Sequence, residues 1–228
     1  MAFIRLSAFL VGMAALAASA LAQTPAAIVE EVTGAPPGVE FMDYVEPGRI
    51  IQLGPQDSIV LSYLNSCLRE VIRGGAVRIG LDQSEALSAR IERTKVDCEA
   101  GKMMRAVGQT NDSASLIIRG ERKPTIQPAP EPEFTLYGLS PLIELNGGGK
   151  LVIARLDKTG EYFALTVEPK QLLRGVFLDL ATEGESLTAG GVYGVRWNRR
   201  LIVFKVDPNA RPGQSSIIGR LLRLVPAS

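Results

Sequence analysis

Between residues 45 and 98 the chain is punctuated too densely to sustain helices of ordinary length. Its apolar runs are cut off by Pro47 and Gly48, by Gly54 and Pro55, by Asn65 and Ser66, and by Gly74 and Gly75. Such residues end regular structure after a few positions. Inside the runs, Ile59, Leu61 and Tyr63 alternate with Ser58, Val60, Ser62 and Leu64 in the two-residue rhythm of a strand. Strands of about four to seven residues at roughly ten-residue spacing predict a meander or small barrel. Residues 83–98 leave two readings. Leu87 and Ile91 stand at helical spacing, yet Leu87, Ala89 and Ile91 also alternate with Ser88, Arg90 and Glu92, and Thr94, Val96 and Cys98 continue in the opposite register. Strands are favoured and a short helix is the rival.

The first 22 residues, MAFIRLSAFLVGMAALAASALA, carry Arg5, an apolar centre and Ala20 with Ala22 in an A-x-A arrangement. That is the pattern of a secretory leader cleaved before Gln23. Its apolar run is shorter than the roughly 20 residues that span a bilayer, and no later segment is long and apolar enough to do so. The expected product is periplasmic or secreted, with no stable membrane insertion after cleavage. With Arg5 gone, 24 basic residues balance 24 acidic ones, so the phosphate-neutralising excess needed for nonspecific nucleic-acid binding is missing and no nucleic-acid partner is expected. Histidine is absent from all 228 residues, which removes the commonest metal ligand and the usual general base.

A hydrophobic fraction of 46% beside 21% charged residues is that of a folded chain, and 228 residues suffice for one large domain or two small ones. The first domain is expected over residues 23–119, starting with a strand around Ile28, Val29 and Val32 and including apolar runs at 103–107 and 116–118. Residues 120–133, GERKPTIQPAPEPE, hold four prolines and form the expected connector, extended and semi-rigid. Eight strand candidates follow within residues 134–228, at 134–137, 142–145, 150–156, 161–167, 176–180, 191–197, 201–206 and 217–224. They predict a β-sandwich, which the corner at Tyr193 makes immunoglobulin-like, and the fold class is all-β throughout. In LTAGGVYGV, Leu187, Gly190, Tyr193 and Val195 have the spacing of a tyrosine corner, in which the buried Tyr193 ring uses its hydroxyl to satisfy a peptide group at the turn. Trp197 then faces away from Arg196 and Asn198.

Cys67 and Cys98 are the only cysteines, and in an exported chain one disulfide is their expected state. A buried reduced pair, or a thiol activated by Arg69 or Lys95, are the alternatives. Two cysteines without histidine do not complete a tetrahedral zinc set, so no metal and no cofactor are expected. GGGK at Gly147–Lys150 lacks the upstream glycine and the following Ser or Thr of a phosphate loop and is read as a hairpin turn. Neither S-x-x-K nor G-x-S-x-G occurs. Glu30 with Glu31, and Glu183 with Glu185, are read as solvated strand ends and turns, and no catalytic residue is assigned. The densest basic segment, VRWNRRLIVFKVD, makes Arg196, Trp197, Arg199, Arg200 and Lys205 the candidate binding surface for an acidic envelope protein or an anionic polymer. The bland reading is a solvated hairpin whose charges discourage edge pairing.

The succession VEEVTG and then EPGRIIQLGPQDSIVLSYLNSCLREVIRGGAVRIG resembles the FecR-like periplasmic domain over about residues 28–79. That resemblance implies a small β module of the cell envelope, found beside other extracytoplasmic domains or in regulators acting through sigma factors. The regulator type carries a cytoplasmic anti-sigma segment and a retained membrane helix, which this sequence lacks. The functional expectation is therefore noncatalytic binding or scaffolding in the envelope. A periplasmic regulator of envelope signalling is the alternative, and an enzyme using carboxylates or Cys98 ranks last.

Overall fold

Alternating apolar positions become strands throughout the computed structural model, which describes residues 24–99, 130–198, 200–212 and 215–224. Over these residues the chain is nearly all β. The expected leader, the apolar runs at 103–107 and 116–118, connector residues 120–129 and Arg199 lie outside the described residues.

The N-terminal unit is one antiparallel sheet of six strands: β1 (Ala27–Thr33), β2 (Tyr44–Val45), β3 (Ile50–Tyr63), β4 (Leu68–Ile79), β5 (Ser84–Ala86) and β6 (Arg90–Lys95). The order is β2-β1-β3-β4-β5, and β6 also pairs with β4. Residues 83–98 therefore resolve as two short strands. Gly54–Pro55 and Gly74–Gly75, read from sequence as breaks that end strands, instead lie opposite one another in a single long hairpin. Leu53 pairs with Gly75 and Ser58 with Arg73, so four residues of β3 bulge against Gly74 alone. The bulge is possible because Gly74 and Gly75 take positive φ, 53° and 73°. Asp57 caps it, accepting the Gly54 amide at 2.9 Å. The apolar face of this bent sheet closes on Val29, Ile59, Leu61, Tyr63, Ile72 and Val77.

The C-terminal unit contains β7 (Phe134–Leu136), β8 (Leu142–Glu144), β9 (Gly149–Arg155), β10 (Tyr162–Val167), β11 (Phe177–Asp179), β12 (Val192–Trp197), β13 (Arg200–Val206), a helical turn α1 (Ile217–Arg220) and β14 (Leu221–Arg223). Seven of the eight strand candidates of this half are strands, and the eighth divides into α1 and β14. A five-stranded sheet, β10-β9-β12-β13-β7, faces a three-stranded sheet, β11-β8-β14. Leu151, Ile153, Val195 and Phe204 from the first sheet share one core with Ile143, Leu178 and Leu222 from the second, which makes a sandwich. The glycine run is not a hairpin turn. β8 and β9 belong to different sheets, so Gly147–Gly149 carries the chain across the sandwich. Gly149 passes beneath Trp197, where an added Cβ would come within 2.7 Å of the indole.

A third apolar cluster is shared between the units: Ile28, Met42 and Leu64 pack with Leu142, Phe177, Ile217, Ile218 and Leu221. Val96 and Cys98 pack against it from the end of the N-terminal sheet. Gly219 lies so close to the Asp97 carbonyl that a Cβ would stand 2.8 Å from the oxygen.

Candidate binding cleft between the two units

The cleft begins with an irregularity in β1. The register against β3 shifts between Val29 and Glu31, and a bulge re-aims the side chain it carries. Glu30 shares the face of Ile28, which packs against the C-terminal unit, and its side chain is 11% exposed. The shift turns Glu31 to that face as well, so that Val32, opposite Ile59, is the next residue on the core side. Its carboxylate accepts the Ser62 hydroxyl at 2.7 Å, Arg69 Nε at 3.0 Å and, across the junction, the Ile217 backbone N–H at 3.1 Å. Arg69 uses its remaining arm on Glu31 at 2.8 Å. The reading of Glu30 as a solvated strand end is thus corrected, whereas Glu31 remains exposed.

The opposite wall is built by a fork-to-fork pair: Arg220 Nη1 and Nη2 donate to the two oxygens of Asp179 at 2.6 and 2.9 Å. Arg220 also donates to the Ser140 carbonyl at 3.2 Å. Between these walls lies a cavity of about 680 Å³ lined by Glu31, Phe41, Arg69, Ser140, Ser216 and Arg220, among others. Phe41 is 41% exposed at its rim. Charged groups of both signs, Glu30, Glu31, Arg69 and Arg220, line it, and charge-assisted hydrogen bonds hold them in place.

Polar groups also bind the units together beside the cleft. Tyr44 donates its hydroxyl to Glu144 Oε2 at 2.7 Å, and Arg223 Nε donates to the same oxygen at 2.5 Å. The Arg223 guanidinium lies 5.1 Å from the centre of the Tyr44 ring, within cation–π range. Burial, reinforced by the Glu144 charge, pushes the Tyr44 hydroxyl well above its ordinary range and keeps it protonated as a donor. Arg174 reaches from the C-terminal unit to Asp43 at 2.8 Å and to Glu40.

Of the residues selected from sequence, Cys67 and Cys98 are joined in a disulfide with Cα atoms 5.7 Å apart. The proposed basic surface is not one surface. Along β12 and β13, Trp197 opposes Arg200 and Val192 opposes Lys205, so alternation divides the set. Trp197 is 2% exposed in the sandwich core and donates Nε1–H to Asn146 at 3.2 Å. Arg200, on the same inward side, donates to the Leu224 carbonyl at 3.1 Å and ties the two sheets. Arg196 and Lys205 face outward, half-buried. The basic run is therefore dense in sequence and dispersed in space.

The tyrosine corner forms as the spacing predicts. Tyr193 is fully buried, and its hydroxyl accepts the Thr188 amide at 2.9 Å while donating to Glu161. Glu161 also receives Arg155 at 2.5 Å and the Thr188 hydroxyl at 2.9 Å. Burial works against its charge, but the Tyr193 hydroxyl, then Arg155 and Thr188, hold the carboxyl below its usual range. Asp157 is likewise held down, chiefly by Arg155.

No protein-family model, curated protein or solved structure matches the chain. The cleft residues were hidden from sequence reading because their partners are remote: 39 positions separate Glu30 from Arg69, and 187 separate it from Ile217. One local signal existed. Two adjacent glutamates inside an apolar strand cannot both face solvent unless the strand is irregular there.

Proposed function

We propose that the chain is an exported, noncatalytic binding or scaffolding module of the cell envelope, with a FecR-like N-terminal unit and an immunoglobulin-like C-terminal one. The observation that supports this most is the junctional cleft, whose charged walls come from both units and are already fixed in ion pairs. Preorganised charge and shape lower the ordering cost of association. Glu30 is engaged by three donors and Cys98 is bound in the disulfide, an arrangement suited to recognition rather than proton transfer or nucleophilic attack. The disulfide fits an oxidising compartment. Among the described residues no helix is long and apolar enough to cross a membrane. An envelope protein carrying surface charges of both signs, or an anionic polymer, is the partner this reading assigns.

Site-specific photocrosslinking in cells tests it. A benzophenone amino acid at Phe41, on the cleft rim, should give discrete adducts with envelope components. The same group at Leu81, 63% exposed and not among the cleft-lining residues, should give none. Absence of adducts at position 41, or equal adducts at both positions, overturns the proposal.

A further inference from the structure

A second hollow, separate from the cleft, lies on the outer face of the five-stranded sheet. β9 and β12 pair so that Arg196 opposes Val152 and Trp197 opposes Leu151. Lys150 is two positions from Val152 and therefore shares its face, diagonal to Arg196. Diagonal neighbours on a sheet stand roughly 7–8 Å apart, and like charges in such positions repel. Arg69, Arg155, Arg174, Arg220 and Arg223, by contrast, each hold a carboxylate. Lys150 and Arg196 hold none among the described residues. Two cations without a carboxylate partner among the described residues thus stand together on one face.

They border a hollow of about 350 Å³ lined by Lys150, Val152, Tyr162, Arg196 and Asn198, at the small end of ligand cavities, roughly 300–1,000 Å³. Val152, 4% exposed, supplies an apolar floor, and Tyr162, 57% exposed, an uncovered aromatic ring. Asn198 adds an exposed amide beside the cations, held at the end of β12 by a backbone with φ of 55°. A guanidinium fork and an ammonium suit a carboxylate. The tyrosine ring suits the flat apolar face of a pyranose, since an aromatic body with a polar tip serves ligands that are apolar on one side and wet on the other.

We propose that this hollow binds a carboxylate-bearing sugar unit of an acidic polysaccharide, with Arg196 and Lys150 on the carboxylate, Asn198 on a ring hydroxyl and Tyr162 against the ring. The choice of a polymer as source rests on the envelope-binding reading. The site itself stands on residues outside the cleft.

Calorimetric titration of the mature chain with trigalacturonate, maltotriose and inorganic phosphate decides the matter. Trigalacturonate should bind saturably and maltotriose should not. Lys150→Gln with Arg196→Gln should weaken trigalacturonate binding at least about tenfold, the loss expected for charge-assisted contacts. Tyr162→Ala should weaken trigalacturonate binding and leave phosphate binding unchanged. Arg196→Lys, which keeps the charge but loses the fork, should fall between parent and double variant. An unchanged thermal midpoint shows that the variants fold. No saturation by trigalacturonate, or affinity unchanged in the double variant, overturns the proposal. Phosphate binding as tightly as trigalacturonate, with both indifferent to Tyr162→Ala, makes this a simple anion site and overturns the sugar assignment. Crosslinks at Phe41 that persist when the titration fails leave the cleft reading standing while removing this one.

Discussion

The two units close their cores by opposite means. The N-terminal unit bends one sheet on itself, using a bulged long hairpin, and fastens its last strand with the Cys67–Cys98 disulfide. The C-terminal unit stacks two sheets and fastens its corner with the hydroxyl of Tyr193, its crossing with Trp197 over Gly149, and its open end with Arg200 on the Leu224 carbonyl. A covalent tie constrains the unfolded chain, whereas buried aromatic packing and hydrogen bonds act only in the folded one. The lesson is that one unit should respond to reductant and the other to loss of a side chain. The shared cluster around Phe177 and Leu221 limits how separately they can do so.

The largest test of that contrast is Trp197→Ala. Removing a buried indole costs about 3–5 kcal/mol, and Asn146 loses its partner at the same time. Urea unfolding followed by circular dichroism should show this loss in the C-terminal unit, with a smaller decrease in amide-exchange protection of β3 and β4. Equal loss in both units would mean that the shared cluster makes them one cooperative block and would break the comparison.

The second test approaches from the other side. Replacing Cys67 and Cys98 with serine opens a loop spanning 31 residues, which on the chain-entropy model lowers stability by about 3–4 kcal/mol. Protection should fall first in β6, whose final residues lead to Cys98, and in β4 opposite it. Because Cys98 packs against the shared cluster, some loss should reach α1. Protection lost in β9 and β12 to the same extent as in β6 would contradict the division of labour.

What sequence reading recovered and what it missed separate along the same physical line. Alternation and turn chemistry are local, so they located β1, β7 to β13 and the tyrosine corner, and made residues 83–98 strands over the rival helix. Pairing partners are not local. Gly54–Pro55 looked like the end of a strand because nothing in that segment announces that Gly74 and Gly75 will lie opposite and absorb it. Gly147–Gly149 looked like a hairpin because the pattern cannot say that β8 and β9 enter different sheets. The same blindness scattered the basic patch: Arg196, Trp197 and Arg200 are close in sequence, yet alternation sends the last two inward. The glycine beneath Trp197 and the bulge at Glu30 depend on contacts over tens of residues, and only a fold supplies them.

The smallest expected effect concerns acid, and it falls on the unit without the disulfide. Glu161 and Asp157 are held below the ordinary carboxylate range in the folded corner. A carboxyl with a lowered folded pKa binds its proton more readily when the chain is unfolded. Its contribution is therefore fully present above the unfolded value, about 4, and is lost as pH falls through the folded one. The C-terminal unit should accordingly weaken as the solution is acidified below about pH 5. Glu161→Gln should flatten that dependence, because the variant keeps an acceptor for Tyr193 but has no proton to gain. The Glu161 side chain is 37% exposed, so water and salt screen its charge and the difference in stability lost on acidification should amount to no more than about 1 kcal/mol. Tyr193→Phe provides the check on cause. It removes the main support of the Glu161 charge and leaves the Thr188 amide without its acceptor, costing about 1–2 kcal/mol at neutral pH. It should also bring the acid dependence closer to that of Glu161→Gln. A parent and a Glu161→Gln variant with the same slope would show that the corner acts through its buried ring alone, and the contrast between the units would then rest on packing against a covalent tie.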